Sequence, residues 1–185
     1  MKGSLMSSEV AEPYAQALMS VAKEHNLSED FGQQFRSLES LLEESTELRE
    51  FIANPVINPD AKKAVISQVM GQDANPFLVN FLRLLVDKRR IVFLEQIAQQ
   101  YLALLREMNQ IVLAEVTSVA PLSEEQTGHI KERVKGMTGA REVEIKTTIN
   151  SALIGGVIIK AGSQVIDSSV RGQLRRIGNS LSRAN

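Results

Sequence analysis

The feature that most constrains this chain is a change in the spacing of its apolar residues near residues 106–110. Before that point they recur every three or four positions, which is the spacing of one helix face. After it, β-branched residues crowd into short runs or alternate with polar ones, as strands require. One packed layer cannot satisfy both periods, so the 185 residues predict two domains, 1–106 and 107–185. The fold class expected is mainly α with a smaller α/β domain.

The helical half reads as a bundle of five to six antiparallel helices with short links. Val10, Tyr14, Ala17, Leu18 and Val21 share the first stripe, which breaks at Asn26-Leu27. Ser28 is expected to cap the next helix, whose stripe is Phe31, Phe35, Leu38, Leu41 and Leu42. A short helix covers Glu47 to Ile52. Asn58-Pro59 and Asn75-Pro76 are helix starts, a capping side chain followed by proline in the first turn. Behind the first come Ala61, Ala64, Val65 and Val69, ending at Gly71. Behind the second come Phe77, Leu78, Phe81, Leu82, Leu84 and Leu85, ending at Asp87-Lys88-Arg89-Arg90. A last helix runs from Ile91 to Met108.

The second half predicts the order β-α-β-β-β-α. Ile111 to Val119 is a strand, and Ser123-Glu124-Glu125-Gln126 is a capping box opening a helix that ends near Gly136–Gly139. Val143, Ile145, Thr147 and Ile149 form a half-buried strand. Leu153 to Lys160 is apolar on both faces and is therefore placed centrally. After the turn at Gly162 comes a short strand, Val165-Ile166, and then a helix striped with Val170, Leu174, Ile177 and Leu181.

Composition narrows the chemistry. The absence of cysteine removes thiol catalysis, disulfides and thiolate-bound metals, and two histidines cannot build a three-histidine site in one chain. No apolar run approaches the roughly 20 residues that cross a bilayer, and Met1–Glu9 has no secretory h-region. Charge is unevenly spread: residues 1–50 carry four basic side chains against ten acidic, and residues 106–185 carry eleven against eight. That basic excess, with Arg171, Arg175, Arg176 and Arg183, motivates an alternative reading as a two-domain RNA-binding protein. Against it, residues 109–185 hold no Phe, Tyr or Trp to stack on bases. Gly155-Gly156 precedes a strand, whereas a phosphate-binding loop precedes a helix, so relief of crowding is the better account. Asp167 reads as a cap for the final helix, made by itself or by Ser168. His25 and His129 lie at helix boundaries, and Glu43 to Glu47 reads as a wet corner. No cofactor or metal site is expected. Tyr14 and the alanines at 11, 15 and 17 allow close approach of a helix, either from this chain or from another.

Two stretches carry a resemblance. The first is Ala11-Glu12-Pro13-Tyr14-Ala15-Gln16-Ala17-Leu18, and the second runs from Leu153-Ile154-Gly155-Gly156 through Lys160, Gly162 and Ile166-Asp167 to Arg171. The chain resembles the delta subunit of F-type ATP synthases, the oligomycin-sensitivity-conferring protein family. It departs from that family's common pattern at Pro13 or Glu12, at Asn150-Ser151 and at Ser168. The resemblance implies a non-catalytic stator subunit without a cofactor. It implies that Tyr14, Ala15, Ala17 and Leu18 bind the N-terminal segment of an alpha subunit. Gly155, Gly156, Lys160, Gly162, Asp167 and Arg171 are the signature of a C-terminal domain that holds b-type stalk helices and resists torque. Neither nucleic acid nor direct membrane insertion enters this picture. The resemblance places the protein peripherally, on the cytoplasmic or stromal face of a plasma or thylakoid membrane.

Overall fold

A computed structural model describes the backbone of residues 2–71 and 74–183 and the side chains of residues 10–71 and 74–176. The side chains of residues 1–9 and of Ile177, Leu181 and Arg183 lie outside the described residues. The chain divides into two units, Met1–Leu105 and Arg106–Asn185.

The first unit is helical: α1 (Lys2–Glu24), α2 (Ser28–Glu44), α3 (Thr46–Ala53), α4 (Pro59–Met70), α5 (Pro76–Asp87) and α6 (Leu94–Met108), the last running three residues past Leu105. Helix starts follow local chemistry. Asn58 accepts the amide of Asp60 at 2.9 Å and Asn75 that of Phe77 at 3.0 Å, each with proline behind it. Ser45 caps α3 by accepting the amide of Leu48 at 3.1 Å. Ser28 does not cap: α2 begins at Ser28 itself, with Leu27 in the cap position and no side-chain bond. Ile91–Phe93 forms a 3-10 turn, so α6 starts at Leu94, later than the sequence pattern suggests.

The core of this unit is built on Tyr101, whose ring lies 5.1 Å from Phe35 and 6.4 Å from Phe31. Its hydroxyl donates to the Ser28 carbonyl at 3.0 Å, so the buried phenol has a partner. Burial, and then the nearby Glu29 and Asp30, push the Tyr101 pKa well above the usual phenol range. Gly32 lets α6 approach α2: a Cβ there would meet the Cδ2 of Leu105 at 2.3 Å.

The α4 helix turns a different face inward from the one its alanines suggest. Ala61 and Ala64 are exposed, while Lys62 and Ile66 are buried. The apolar stem of Lys62 packs inward and its ammonium donates to the Ile52 carbonyl at 2.6 Å, satisfying an end of α3. Burial lowers the Lys62 pKa. On α5, Leu78, Leu82, Leu85 and Val86 are buried, but Phe77 and Leu84 face outward.

The second unit holds a four-stranded sheet with α7 (Glu124–Thr138) packed on one face. Its strands are β1 (Ile111–Ser118), β2 (Glu142–Ile149), β3 (Val157–Ala161) and β4 (Gln164–Asp167), in the order β2-β1-β3-β4. The β1 and β2 strands are parallel, joined through α7, and the other pairings are antiparallel. Ala114, Val116, Val143, Ile159 and Ala161 form the covered face, with Ile130 and Val134 of α7 against it. Both halves of the Ser123–Gln126 capping box are present, and Gly139 ends α7 in a left-handed conformation. The β3 strand is central, as its apolar faces imply, but it begins at Val157. Ser151–Leu153 form a 3-10 turn instead, and the last helix, α8, spans Val170–Arg183.

Candidate partner-binding sites

The residues of α1 divide between core and surface. Ala11, Ala15, Leu18, Met19 and Ala22 are buried within the bundle. Tyr14 packs against that core while staying partly exposed, and Ala17 is exposed. Tyr14 and Ala17 therefore reach the surface of the bundle, while Ala15 and Leu18 are buried in it. The sequence placed α5 but did not single out an outward stripe on it. Phe77, Phe81 and Leu84 follow one another at helical spacing; Phe77 and Leu84 are exposed and Phe81 is half-buried. The ring of His25, just beyond the end of α1, stacks on Phe77 at 4.5 Å. That contact ties the end of α1 to the start of α5 beside an apolar stripe. The signal was present in the sequence, since α5 carries apolar residues around more of its circumference than one buried face needs.

The second site is the turn between β2 and β3 together with the start of α8. Asn150 accepts the amide of Ala152 at 3.0 Å, making the bond an aspartate would make there. The chain then reverses at Ile154, which has φ of 66° and is 71 % exposed. For a β-branched residue this is a true outlier and costs of order 1–3 kcal/mol. Gly156 follows at φ of 80°, and a Cβ there would lie 2.3 Å from the Ser168 carbonyl oxygen and 2.9 Å from the Ser169 Cα. Only glycine lets these two backbones pass. A Cβ on Gly155 would lie 3.1 Å from Val170 Cγ2, and the Gly155 carbonyl accepts the Val170 amide at 3.1 Å. Crowding is therefore the physical role of the glycine pair. Gly162 differs: it turns at φ of 59° in open space.

The α8 start also corrects the capping expectation. Ser169, not Asp167 or Ser168, takes the cap role: its hydroxyl accepts the amide of Gly172 at 3.0 Å. Asp167 secures that serine, accepting the Ser169 amide at 3.0 Å and its hydroxyl at 2.5 Å. Arg175 reaches the other Asp167 carboxylate oxygen at 3.4 Å, and Arg176 donates to the Asp167 carbonyl at 3.1 Å. Hydrogen bonds from the Ser169 hydroxyl and then its amide, with Arg175 and Arg176 adding to them, hold the Asp167 carboxyl below its usual range. A Cβ on Gly172 would lie within 2.6 Å of all three carboxylate atoms, so this glycine belongs with the signature although spacing did not mark it. Lys160 is bonded to Glu115 at 2.9 Å on the opposite, exposed face of the sheet, and Arg171 is exposed on α8.

The family model for the ATP synthase delta (OSCP) subunit matches residues 10–181. The chain belongs to that family. It is 58 % identical over 181 residues to ATP synthase subunit delta of Gloeothece citriformis, covering 98 % of both chains. It is 55 % identical over 184 residues to the subunit of the same name from Synechocystis sp., covering all of both. Among solved structures, it is similar to a chain of the Toxoplasma gondii mitochondrial ATP synthase hexamer. There the TM-score is 0.74 at 25 % identity, over 92 % of this chain and 96 % of that one. As a delta (OSCP) subunit it is a non-catalytic component of the peripheral stalk of an F-type ATP synthase, linking the alpha subunits of the head to the stalk.

Among the described residues, no cluster of three His, Cys, Asp or Glu could hold a metal ion. His129 lies 3.8 Å from Glu125 on an open helix face. A cleft of about 100 Å³ is lined by Glu39, Leu42, Glu43, Arg49, Glu95 and Gln99. Arg49 is committed there, donating twice to the Leu42 carbonyl at 3.2 and 2.8 Å near the end of α2. Two of the arginines behind the RNA-binding alternative, Arg175 and Arg176, are turned to Asp167. No helix among the described residues is long and apolar enough to cross a membrane.

Proposed function

We propose that the two units divide the linking task. The helical unit receives the N-terminal segments of alpha subunits, on the exposed side of Tyr14 and Ala17 together with the Phe77–Phe81–Leu84 stripe of α5. Ala15 and Leu18 support that surface from below. The α/β unit, through the signature residues Gly155, Gly156, Lys160, Gly162, Asp167 and Arg171, shapes the seat for b-type stalk helices. In this reading the subunit works peripherally, on the cytoplasmic or stromal face of a plasma or thylakoid membrane.

The observation that carries the head-binding half is the outward α5 stripe. Three large apolar side chains follow one another on one helix, and Phe77 and Leu84 are more exposed than an ordinary core stripe would leave them. The acidic charge of residues 1–50 favours a segment with basic side chains, chiefly by guiding encounter. Membranes stripped of catalytic head and delta subunit provide the test. Added full-length chain should restore head binding and proton-driven ATP synthesis. Phe77→Gln should lose most of that restoration at an unchanged melting temperature. Full restoration by this variant would remove α5 from the interface.

A further inference from the structure

The strained turn at Ile154 has no internal explanation in packing, because the side chain it displays is 71 % exposed. Beside it, Val170 is 39 % exposed and Leu174, one helical turn further on, is 61 % exposed. Gly155 abuts Val170, so the turn and the first two turns of α8 present neighbouring apolar side chains. The helix that carries this ridge holds four arginines and no acidic residue. Its direction is fixed by the bonds of Ser169, Arg175 and Arg176 to Asp167.

We infer that Ile154 is a specificity-determining anchor for the stalk partner. It forms one ridge with Val170 and Leu174, and that ridge seats an amphipathic helix whose apolar stripe is flanked by carboxylates. This rests on the assignment of the α/β unit to the stalk. Three observations select the occupant. The ridge is aliphatic and narrow, which suits the stripe of a single helix. Arg171, exposed beside Val170 on α8, is a cation that acidic side chains flanking the stripe can meet, which orients the visitor. A lipid surface is the poorer fit, because residues 109–185 contain none of the aromatic side chains that anchor helices at a bilayer interface.

The test uses the full chain and, as probe, the hydrophilic portion of the b-type stalk subunit. Ile154→Asn puts at this positive-φ position a residue that takes positive φ more readily than a β-branched one, and removes the apolar anchor. It should weaken binding at least about tenfold without lowering the melting temperature. Leu174→Gln should do the same, and Arg171→Glu should slow association and reduce the salt dependence. Val56→Gln, at an 89 % exposed apolar position of the helical unit, should bind as the wild type does. If Ile154→Asn lowers the melting temperature, Leu174→Gln decides alone. Wild-type affinity in the deciding variant overturns the ridge while leaving the stalk assignment standing. A wild-type chain that does not bind the probe overturns the stalk assignment and the ridge with it. Binding to vesicles of phosphatidylcholine and phosphatidylglycerol that Leu174→Gln abolishes would give the ridge to a lipid surface and overturn the proposal.

Discussion

At the scale of single residues, the signature is a set of steric and hydrogen-bonding requirements. Gly156 and Gly162 both sit at positive φ, but only Gly156 faces another backbone at contact distance. Gly156→Ala should therefore destabilise the α/β unit by about 3 kcal/mol, combining left-handed strain with a clash neither chain can relieve. Gly162→Ala should cost about 1 kcal/mol, the strain alone. Hydrogen-exchange protection of β3 amides separates the two outcomes. Asp167 gives a pH test. Its folded pKa is depressed, so its stabilisation is complete above the unfolded carboxylate value of about 3.9 and is lost as pH falls through the lower folded value. Protection of the first turn of α8 should fall across that acid range in the wild type. In Asp167→Asn it should be weaker at neutral pH and nearly flat with pH. The sequence favoured crowding at Gly155-Gly156 over phosphate binding, because a phosphate loop leads into a helix and this pair leads into a strand. It could not show that Ile154 is the residue forced out of the allowed region. Gly155-Gly156 marks a bend in the run, but which neighbouring residue takes the positive φ depends on how the chain passes from the turn at 151–153 into β3.

At the scale of elements, legibility followed the strength of local chemistry. Asn58-Pro59, Asn75-Pro76 and the Ser123–Gln126 box place helix starts because side chain and backbone satisfy each other within four residues. The faces of α4 and α5 were harder to read, since tertiary packing decides them. Lys62 is buried through its stem and an α3 carbonyl, a use of lysine that a polar-outside rule rejects. Phe77 and Leu84 are apolar yet outward, which the same rule cannot anticipate. On α1, position decides how a substitution acts. Ala15→Leu should overpack the bundle and lower stability by about 1–3 kcal/mol, read from thermal melting, because Ala15 is fully buried. Ala17→Leu should leave melting within error, because Ala17 faces out. If the α1 face receives an alpha-subunit helix, a synthetic peptide of that segment should bind Ala17→Leu differently from wild type. Unchanged titration curves would assign the α1 alanines to the bundle's own packing.

At the scale of the whole molecule, the shift in apolar period that opened the sequence marks a division of the chain near Leu105 and Arg106. A fragment ending after Met108 keeps all of α6, including the core residues Tyr101, Leu102 and Leu105. It should give a helical circular dichroism spectrum and one cooperative melt, and a broad non-cooperative loss of signal would mean that the helical unit needs the rest of the chain. Cutting before Leu94 removes Tyr101 and should abolish the cooperative transition. The strand order has a consequence during synthesis. The helical unit has all its partners only once α6 has emerged, because Tyr101 bonds the Ser28 carbonyl and packs on Phe31 and Phe35, far back along the chain. The β1 strand emerges next, yet Ile111 must wait for Glu142 and Ala114 for Ala161 before their ladders form. Throughout that interval a β-branched strand leaves the ribosome with both edges open, the condition in which strands pair with the wrong chain. The slow, vulnerable stage in making this subunit is thus the wait of one strand for its two partners.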